Sequence, residues 1–305
     1  PRVAPTFALR YKTTHKGEAR CAAFSADGKF ASTGSADSSV KLINVDKMRR
    51  HNDADRPVIR TFYDHAGPVN EVAFHPNGLT LASCSEDRFI KLYDLTRTGN
   101  KRGFRALHDS HGINSIAFHP AGDFLAAGTD DTTLRVHDLH HGACYITNRD
   151  PSEQHRGPIR QVRYAPSANM IVTCSDDGDV RLWDGVSGRC VRTFRGAHTG
   201  RSVSSACITK NEKYLLTSGC DSTVRLWELA SGITVLIYRS HAQDQPVQAS
   251  LNHTEDFVFC SDEMTREVLI WDSRTGQQLQ RWRAADNLIR CVCTAPDDNA
   301  FITCR

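Results

Sequence analysis

The 305-residue sequence lacks a hydrophobic run approaching the roughly 18 apolar residues that a membrane-spanning helix needs. It also lacks an N-terminal charged stretch followed by an apolar one, so no secretion signal is visible, and Pro1 indicates an excised part of a longer chain. Charge of one sign is not in large excess, because 38 Lys and Arg residues face 35 Asp and Glu residues. A protein that grips phosphates along a groove usually carries more basic charge. We therefore expect neither a membrane protein nor a nucleic-acid groove.

The cysteine spacing excludes two further classes of site. The eleven cysteines are an odd number spread along the chain, and no two of them have the C-x-x-C spacing of a structural zinc site. Cys84 and Cys174 occupy equivalent small-residue positions, each three residues before an aspartate. We interpret the cysteines as reduced packing residues of a cytosolic or nuclear protein, and we expect no metal and no cofactor.

What the sequence does have is an internal repeat. The segment Ser85–Asp94 (SEDRFIKLYD) recurs as Ser175–Asp184 (SDDGDVRLWD) and Gly219–Glu228 (GCDSTVRLWE), with weaker copies at 35–44, 129–138 and 268–272. The aromatic position is occupied in turn by Ile43, Tyr93, His137, Trp183, Trp227 and Trp271, at spacings of 50, 44, 46, 44 and 44 residues. A period near 44 residues that ends in Trp-Asp is typical of propeller blades, each made of four short antiparallel strands.

Each repeat also opens in the same way. A histidine lies 22 or 23 residues before the turn aspartate, and an alternating strand such as Val69–Phe74 follows it. Half-buried sheets of this kind must stack around an axis. The prediction is an all-β fold, a seven-bladed WD40 β-propeller that forms a single domain over residues 1–305. Its approximate blades are 15–46, 57–95, 107–139, 151–185, 194–229, 237–273 and 285–305 plus 6–11.

The last blade is expected to be incomplete. A seventh repeat begins at Ile289, and its Trp-Asp position would fall beyond Arg305. In WD proteins the N-terminal segment supplies the outer strand of the last blade, and this closure removes an exposed sheet edge. Thr6–Tyr11 (TFALRY) is the candidate for that strand, and one inner strand of the last blade is expected to be absent.

Three repeats combine a histidine, a hydroxyl residue, an aspartate and an aromatic residue, as a hydrolase site does. The complete sets are His65, Ser83, Asp87 and Tyr93; His155, Thr173, Asp177 and Trp183; and His198, Thr217, Asp221 and Trp227. A catalytic triad should occur once, beside an oxyanion hole. A set that recurs with the repeat indicates a structural network that ties a turn to two strands. We therefore predict no catalytic residue and no enzyme.

Two blades depart from this pattern. In the third blade, Asp109, Ala127 and His137 replace the histidine, the hydroxyl residue and the aromatic residue, which is expected to leave Asp131 alone. A half-satisfied buried network is worse than none, so its members should be lost together. The sixth blade keeps the histidine and the tryptophan but has a threonine at the aspartate position: His241, Trp271 and Thr265.

Four segments in different blades carry a more specific resemblance. They are Pro57–His65 (PVIRTFYDH), Phe118–Leu125 (FHPAGDFL), Leu182–Ser187 (LWDGVS) and Asn252–Val258 (NHTEDFV), and they include loops outside the repeat consensus. They resemble the WD-repeat subunit of the cleavage stimulation factor, and the resemblance covers essentially the whole chain.

The resemblance implies a subunit of the nuclear complex that acts in cleavage and polyadenylation of pre-mRNA 3′ ends. In that family the propeller is a non-enzymatic scaffold that docks onto the helical-repeat subunit, while a separate RNA-recognition subunit mainly selects the RNA. RNA would therefore be bound only indirectly through the complex. Family members also self-associate through an N-terminal region, which would precede Pro1.

A polar ring is expected around the mouth of the central channel, one residue after the first apolar position of each inner strand. It contains Arg20, Asn70, Asn114, Arg160, Ser204, Gln248 and Arg290, beside the acidic turn residues Glu86, Asp130 and Asp176. Arginines on a rigid rim are typical anchors for an acidic peptide. The alternative is a solvated rim whose charges pair internally. The loop 47–56 leaves a similar choice between contact with RNA or a partner and a solvated insertion.

Two further classes of function stay open. A WD adaptor of another complex, such as a substrate receptor for ubiquitin ligation or a peptide reader, would use the rim arginines to select a motif. A propeller hydrolase would need a unique nucleophile outside the repeated sets, and the sequence offers none.

Overall fold

Strands make up almost all the regular structure of the chain. A computed structural model describes residues 6–50, 56–147, 150–240, 248–283, 288–298 and 300–305. Within these ranges the one helix is α1 (Val45–Arg50), which begins where the Asn44 side chain accepts a hydrogen bond from the Lys47 amide at 2.9 Å. No helix in the same ranges is long and apolar enough to cross a membrane.

Six antiparallel sheets contain four strands each, in the order of the chain. The first has β1 (Ala19–Phe24), β2 (Phe30–Ser35), β3 (Val40–Asn44) and β4 (Val58–Phe62). The second has β5 (Val69–Phe74), β6 (Thr80–Ser85), β7 (Phe89–Asp94) and β8 (Arg105–His108). The third has β9 (Ile113–Phe118), β10 (Phe124–Thr129), β11 (Leu134–Asp138) and β12 (Cys144–Ile146).

The remaining sheets repeat this order. The fourth has β13 (Ile159–Tyr164), β14 (Met170–Ser175), β15 (Val180–Asp184) and β16 (Cys190–Phe194). The fifth has β17 (Val203–Ile208), β18 (Tyr214–Gly219), β19 (Thr223–Glu228) and β20 (Thr234–Arg239). The sixth has β21 (Ser250–Leu251), β22 (Phe257–Asp262), β23 (Glu267–Asp272) and β24 (Gln278–Arg283). A two-stranded sheet follows, with β25 (Cys291–Thr294) and β26 (Phe301–Cys304).

The predicted all-β propeller is confirmed, but the predicted number of blades is wrong. The described chain forms six four-stranded blades rather than seven, because only two strands follow the sixth blade. Each blade is also offset from the sequence repeat by one strand. One sequence repeat supplies the outer strand of one blade and then the first three strands of the next, as β4 of blade one precedes β5 to β7 of blade two. Each repeat therefore links two neighbouring blades covalently.

The expected outer strand at Thr6–Tyr11 is also wrong. These residues form no strand, and an open cavity of about 1620 Å³ is lined both by them and by Phe301–Arg305. A segment without an adjacent strand has no ladder to join. Phe7 nevertheless packs against the edge of the two-stranded sheet, with its ring centroid 4.7 Å from that of Phe301.

The core lies between blades, where the facing sides of neighbouring sheets meet. Phe194 and Val180 of blade four pack with Val203 and Trp227 of blade five in one buried cluster. Trp183 is 2% exposed and packs among residues of blade three. Because both faces of a blade are covered in this way, its strands carry apolar side chains on both sides.

Candidate binding face around the channel

Five of the seven predicted rim residues lie at β-bulges. In β1, β5, β9, β13 and β17 the pairing with the next strand skips one residue near the start. The skipped residues are Arg20, Asn70, Asn114, Arg160 and Ser204. A bulge turns the extra side chain away from the regular pleat. The repeated bulge therefore places one polar side chain per blade at the same end of the inner strands.

The rim arginines have carboxylate partners within the rim. Arg20 donates to Glu86 at 2.5 Å and to the Asn70 side chain at 2.7 Å. The guanidinium of Arg160 lies against both carboxylate oxygens of Asp176, with its Nε 2.8 Å from each of them. Of the two possibilities that the sequence leaves open, internal pairing is what the geometry shows. A role of the rim in binding a partner stays a prediction.

The same rim links each blade to the next. The Asn70 amide donates to the carbonyl of Ile113 at 3.0 Å, and the Asn114 amide donates to that of Ile159 at 3.1 Å. Arg290 precedes β25 and donates to Glu18 of the first inner strand region at 2.5 Å. The predicted rim residues are therefore all engaged between or within blades.

A second polar ring lies one residue further along the inner strands. Its side chains accept hydrogen bonds from main-chain amides of the following blade. The acceptor and amide pairs are Glu71 and Ile116 at 2.9 Å, Ser115 and Val162 at 2.9 Å, Gln161 and Ala206 at 2.9 Å, and Ser205 and Ala249 at 3.1 Å. The sequence analysis missed this ring. Its signal is a polar residue that recurs with the repeat at a position facing the channel.

Blade four brings its predicted network together. His155 Nδ1 lies 2.9 Å from a carboxylate oxygen of Asp177, and His155 Nε2 lies 2.8 Å from Thr173 Oγ1. Trp183 Nε1 donates to the same hydroxyl at 2.8 Å. The donors and acceptors match when Nδ1 carries the proton, because the hydroxyl then donates to Nε2.

Blades two and five build the same arrangement. The His65 to Asp87 and His65 to Ser83 distances are 2.8 and 2.7 Å, while the Tyr93 hydroxyl lies 3.5 Å from Ser83 Oγ. In blade five the contacts of His198 with Asp221 and Thr217 and of Trp227 with Thr217 are 2.7, 2.8 and 2.9 Å. Both ring nitrogens of each histidine are thus engaged inside a blade, and none is available to a substrate.

The turn carboxylates are held in their ionised form. Burial alone would raise the pKa of Asp177, but the hydrogen bond from His155 and the amides of Arg156 and Asp179 lower it to about 2. The pKa of Asp87 and that of Asp221 are lowered to about 2 by the same kind of contacts. An ionised carboxylate that accepts several hydrogen bonds stabilises the tight turn around it.

Blade three corrects one expectation. Asp131 is not alone, because the Arg135 guanidinium donates to it and also to Asp109. Thr133 Oγ1 donates to Asp131 at 2.7 Å, and Arg135 Nε lies 3.2 Å from that hydroxyl. The lost histidine is therefore replaced by a complete buried ion-pair network. The sequence signal was a basic residue four positions after the turn aspartate, together with an acid in the histidine position.

The other two blades differ in detail. In blade one, His15 contacts Ser39 at 2.7 Å and Thr33 at 2.9 Å, and Ser39 in turn donates to Asp37. In blade six, His241 lies outside the described residues, and Trp271 is buried with its ring centroid 5.9 Å from that of Tyr238. In the described ranges no three His, Cys, Asp or Glu side chains are arranged to hold a metal ion, and all eleven cysteines are free thiols.

Comparisons with known proteins identify the family. The family described as WD domain, G-beta repeat matches residues 8–44, 56–94, 104–138, 150–184 and 188–228. Cleavage stimulation factor subunit 50 of Arabidopsis thaliana is 41% identical over 295 residues, which cover 95% of this chain and 69% of the relative. The chain belongs to the cleavage stimulation factor subunit 50 family.

Other WD-repeat relatives match a smaller part of this subunit 50 family member. Nuclear distribution protein PAC1-2 of Uncinocarpus reesii is 32% identical over 56% of the chain and 39% of the relative. The COMPASS component SWD3 of Saccharomyces cerevisiae is 28% identical over 56% of the chain and 53% of the relative. The similarity to subunit 50 extends over 95% of the chain.

Proposed function

We propose that this chain is the WD-repeat scaffold of a cleavage stimulation factor and supports cleavage and polyadenylation of pre-mRNA 3′ ends. The observation that carries the proposal is the 41% identity to subunit 50 over 95% of the chain. The absence of catalysis is also proposed, and it is supported by the repeated histidines, whose ring nitrogens are engaged inside the blades. An adaptor of another complex is not favoured, because those relatives match about half of the chain.

The finer parts of the proposal concern partners and place. We propose that the chain binds protein partners within the cleavage stimulation factor, above all the helical-repeat subunit. We propose that it contacts RNA only through the complex. We also propose that it self-associates within the assembly and is located in the nucleus. Their support is the family membership, together with a rim whose arginines are neutralised by carboxylates instead of forming an open basic groove.

The proposal is tested by add-back to nuclear extract that has been depleted of the endogenous subunit. The purified chain is expected to restore pre-mRNA cleavage and to co-purify with polyadenylation factors. Asp177→Asn is expected to restore cleavage at temperatures below its melting point, because Asp177 stabilises a turn. Loss of cleavage in a folded Asp177→Asn chain would indicate a hydrolase, and recovery of cullin-ligase components in place of polyadenylation factors would favour the other adaptor.

We also propose that the two-stranded sheet of β25 and β26 closes the ring between blade six and blade one. Two contacts support this: the Ala19 amide donates to the Arg305 carbonyl at 2.9 Å, and the Gln248 amide contacts the Arg290 carbonyl at 3.4 Å. The two-stranded sheet thus lies between blade six and blade one. Arg290→Glu is expected to lower the melting temperature and Glu18→Arg in the same chain to restore it, whereas a ring closed directly from blade six to blade one would show no such coupling.

A further inference from the structure

The outer strand of blade five differs from its equivalents. Among the described residues β20 pairs only with β19, and its six residues (TVLIYR) carry no charge before Arg239. Blades one, two and four have an arginine in the outer strand, opposite a leucine of the third strand. These arginines are Arg60, Arg105 and Arg192, and the equivalent residue of β20 is Leu236.

The arginines of the other blades reach across to the next blade. Arg60 donates to the carbonyl of Asp94 at 3.0 Å, and Arg192 donates to that of Leu229 at 2.7 Å. In blade five a tyrosine makes the equivalent link, because the Tyr238 hydroxyl donates to the Ser273 carbonyl at 2.6 Å. Outer strands are usually protected against pairing by charge or by short length. β20 is six residues long and has Leu236 where those strands have the arginine.

The side chains that face away from blade six are aliphatic and exposed. Ile233, Val235 and Ile237 have exposed fractions of 65%, 49% and 41%, at alternate positions. Ile237 stands directly opposite Arg225 of β19, whose guanidinium carbon lies 6.0 Å from the ring centroid of Trp227. A single exposed aliphatic residue is ordinary, but here three alternate along an edge that no described strand pairs with, and they form an apolar strip. Ile233 lies just before β20, and Val235 is the bulged residue of its pairing with β19.

Positive charge lies at both ends of this strip. At one end the Arg192 guanidinium packs against Gly232, so closely that a side chain at this glycine would contact it at 3.0 Å. At the other end Arg239 is exposed. Within the described part of the chain, Arg192 donates to main-chain carbonyls and neither arginine forms a salt bridge with a carboxylate. Carboxylates at both ends of a ligand would match this charge distribution.

We propose that the free edge of β20 is a docking site for an extended segment of a partner protein, which adds a fifth strand to blade five. The segment carries aliphatic side chains at alternate positions and a carboxylate at each end. Main-chain hydrogen bonds to β20 supply affinity, and the strip of Ile233, Val235 and Ile237 selects the side chains. The inference rests on the proposed scaffold function and names the surface and the partner chemistry.

The test uses a defined probe and the full chain. The probe is the acetylated and amidated peptide Asp-Val-Thr-Val-Thr-Val-Asp. At about 1 mM peptide, hydrogen exchange is expected to slow at the amides of 234–239 and to stay unchanged at the amides of 190–194 in β16. The double variant Val235→Lys and Ile237→Lys is expected to weaken binding roughly tenfold or more, since it places charge on the edge.

The matched control places the same charges on blade four. Val191→Lys and Thr193→Lys occupy the equivalent positions of β16, and this double variant is expected to bind the peptide like the unmodified chain. A peptide with proline at its central position should not bind, because proline cannot complete the ladder. A peptide flanked by lysines should bind more weakly than the acidic one.

Three results would overturn the inference: no slowing of exchange at β20, slowing at the channel rim instead, or equal binding by the two double variants. Melting curves of both variants establish that the chains are folded, because the substituted side chains are partly or fully exposed. The outcome is independent of the proposed function, since a chain that restores pre-mRNA cleavage but does not bind the peptide at β20 would exclude this site alone.

Discussion

Blades three and four hold the same turn in chemically different ways. In blade four His155, 22 residues before Asp177, bonds its carboxylate and links it to Thr173 and Trp183. In blade three an aspartate takes the histidine position at the same spacing, and Arg135 bridges the two carboxylates. The blade four network joins one carboxylate to neutral donors, whereas blade three holds two carboxylates on one guanidinium.

Blade five shows how one network relates to the other. Asp221 bonds His198 at 2.7 Å and also accepts from Arg225 at 2.8 Å, so both kinds of partner meet on one carboxylate. An arginine four residues after the turn aspartate is therefore compatible with either network. An aspartate can therefore replace the histidine before the turn where the arginine four residues after the turn aspartate points inward and neutralises the added charge.

Removing the cation of blade three is the largest single effect that we expect. Arg135→Met should leave Asp109 buried without its counter-ion, while the partly exposed Asp131 keeps His111 at 3.2 Å. The free energy of unfolding should fall by about 3–5 kcal/mol. Urea denaturation at pH 7 measures the loss. The matched control is Arg225→Met in blade five, which should cost less because Asp221 keeps His198. Equal losses in the two variants would remove the distinction between the networks.

Breaking the blade four network should have a smaller effect. Asp177→Ala is expected to lower the free energy of unfolding by about 1–3 kcal/mol, chiefly because it strands the buried His155. Thermal and urea unfolding measure the change, and the exposed Asp123→Ala should stay within about 0.5 kcal/mol of the parent chain. Unchanged melting of Asp177→Ala would show that the network contributes nothing to stability.

The parts of this fold that the sequence predicts are those that recur within one repeat. The strand pattern and the sets around His65, His155 and His198 repeat with a fixed spacing, and their physical role follows from that recurrence. What the sequence does not predict are the partners that come from neighbouring blades. Arg20 and Glu86 are 66 positions apart, and the period says nothing about how side chains pair across a blade boundary.

Blade three was misread for a related reason. Asp131 was expected to lack partners because the histidine, hydroxyl and aromatic positions of its repeat are all substituted. A basic residue stands four positions after the turn aspartate in the other repeats too, so the unusual feature of blade three is Asp109, which gives Arg135 a second carboxylate to neutralise. The number of blades was wrong because periodicity counts sequence units, while a blade also needs strands that the described chain does not supply after β26.

Acid should separate a histidine network from an arginine network. Burial, followed by the nearby Lys41 charge, lowers the pKa of His15 to about 4. Because an unfolded histidine titrates near 6.5, the unfolded chain binds more protons between these values, and stability should fall as the pH falls from about 6.5 to about 4. The loss is on the order of 1–2 kcal/mol after allowance for partial solvent screening.

The measurement is the free energy of unfolding of the parent chain and of His15→Asn at pH 7 and pH 4.5. The difference between the two chains should shrink at the lower pH. The carboxylate of Asp131 gives no such dependence between pH 6.5 and 4. Burial raises its pKa, but the hydrogen bonds from Thr129, Thr133 and Arg135 outweigh burial and lower the pKa to about 2. A difference that does not change with pH would show that His15 titrates alike in the folded and unfolded chains.

The aromatic position should show the smallest effect, in blade two. The Tyr93 hydroxyl lies 3.5 Å from Ser83 Oγ, which is beyond a strong hydrogen bond, and Ser83 is already bound to His65 at 2.7 Å. Tyr93→Phe should therefore change the free energy of unfolding by less than about 0.5 kcal/mol. In blade four the equivalent contact is a hydrogen bond that Trp183 Nε1 donates to Thr173 at 2.8 Å. Thr173→Val should therefore lower the free energy of unfolding more than Tyr93→Phe does, as measured by urea denaturation of both variants. A larger loss for Tyr93→Phe would place the weight of the blade two network on the aromatic residue, and the histidine and aspartate would no longer account for the stability of the turn.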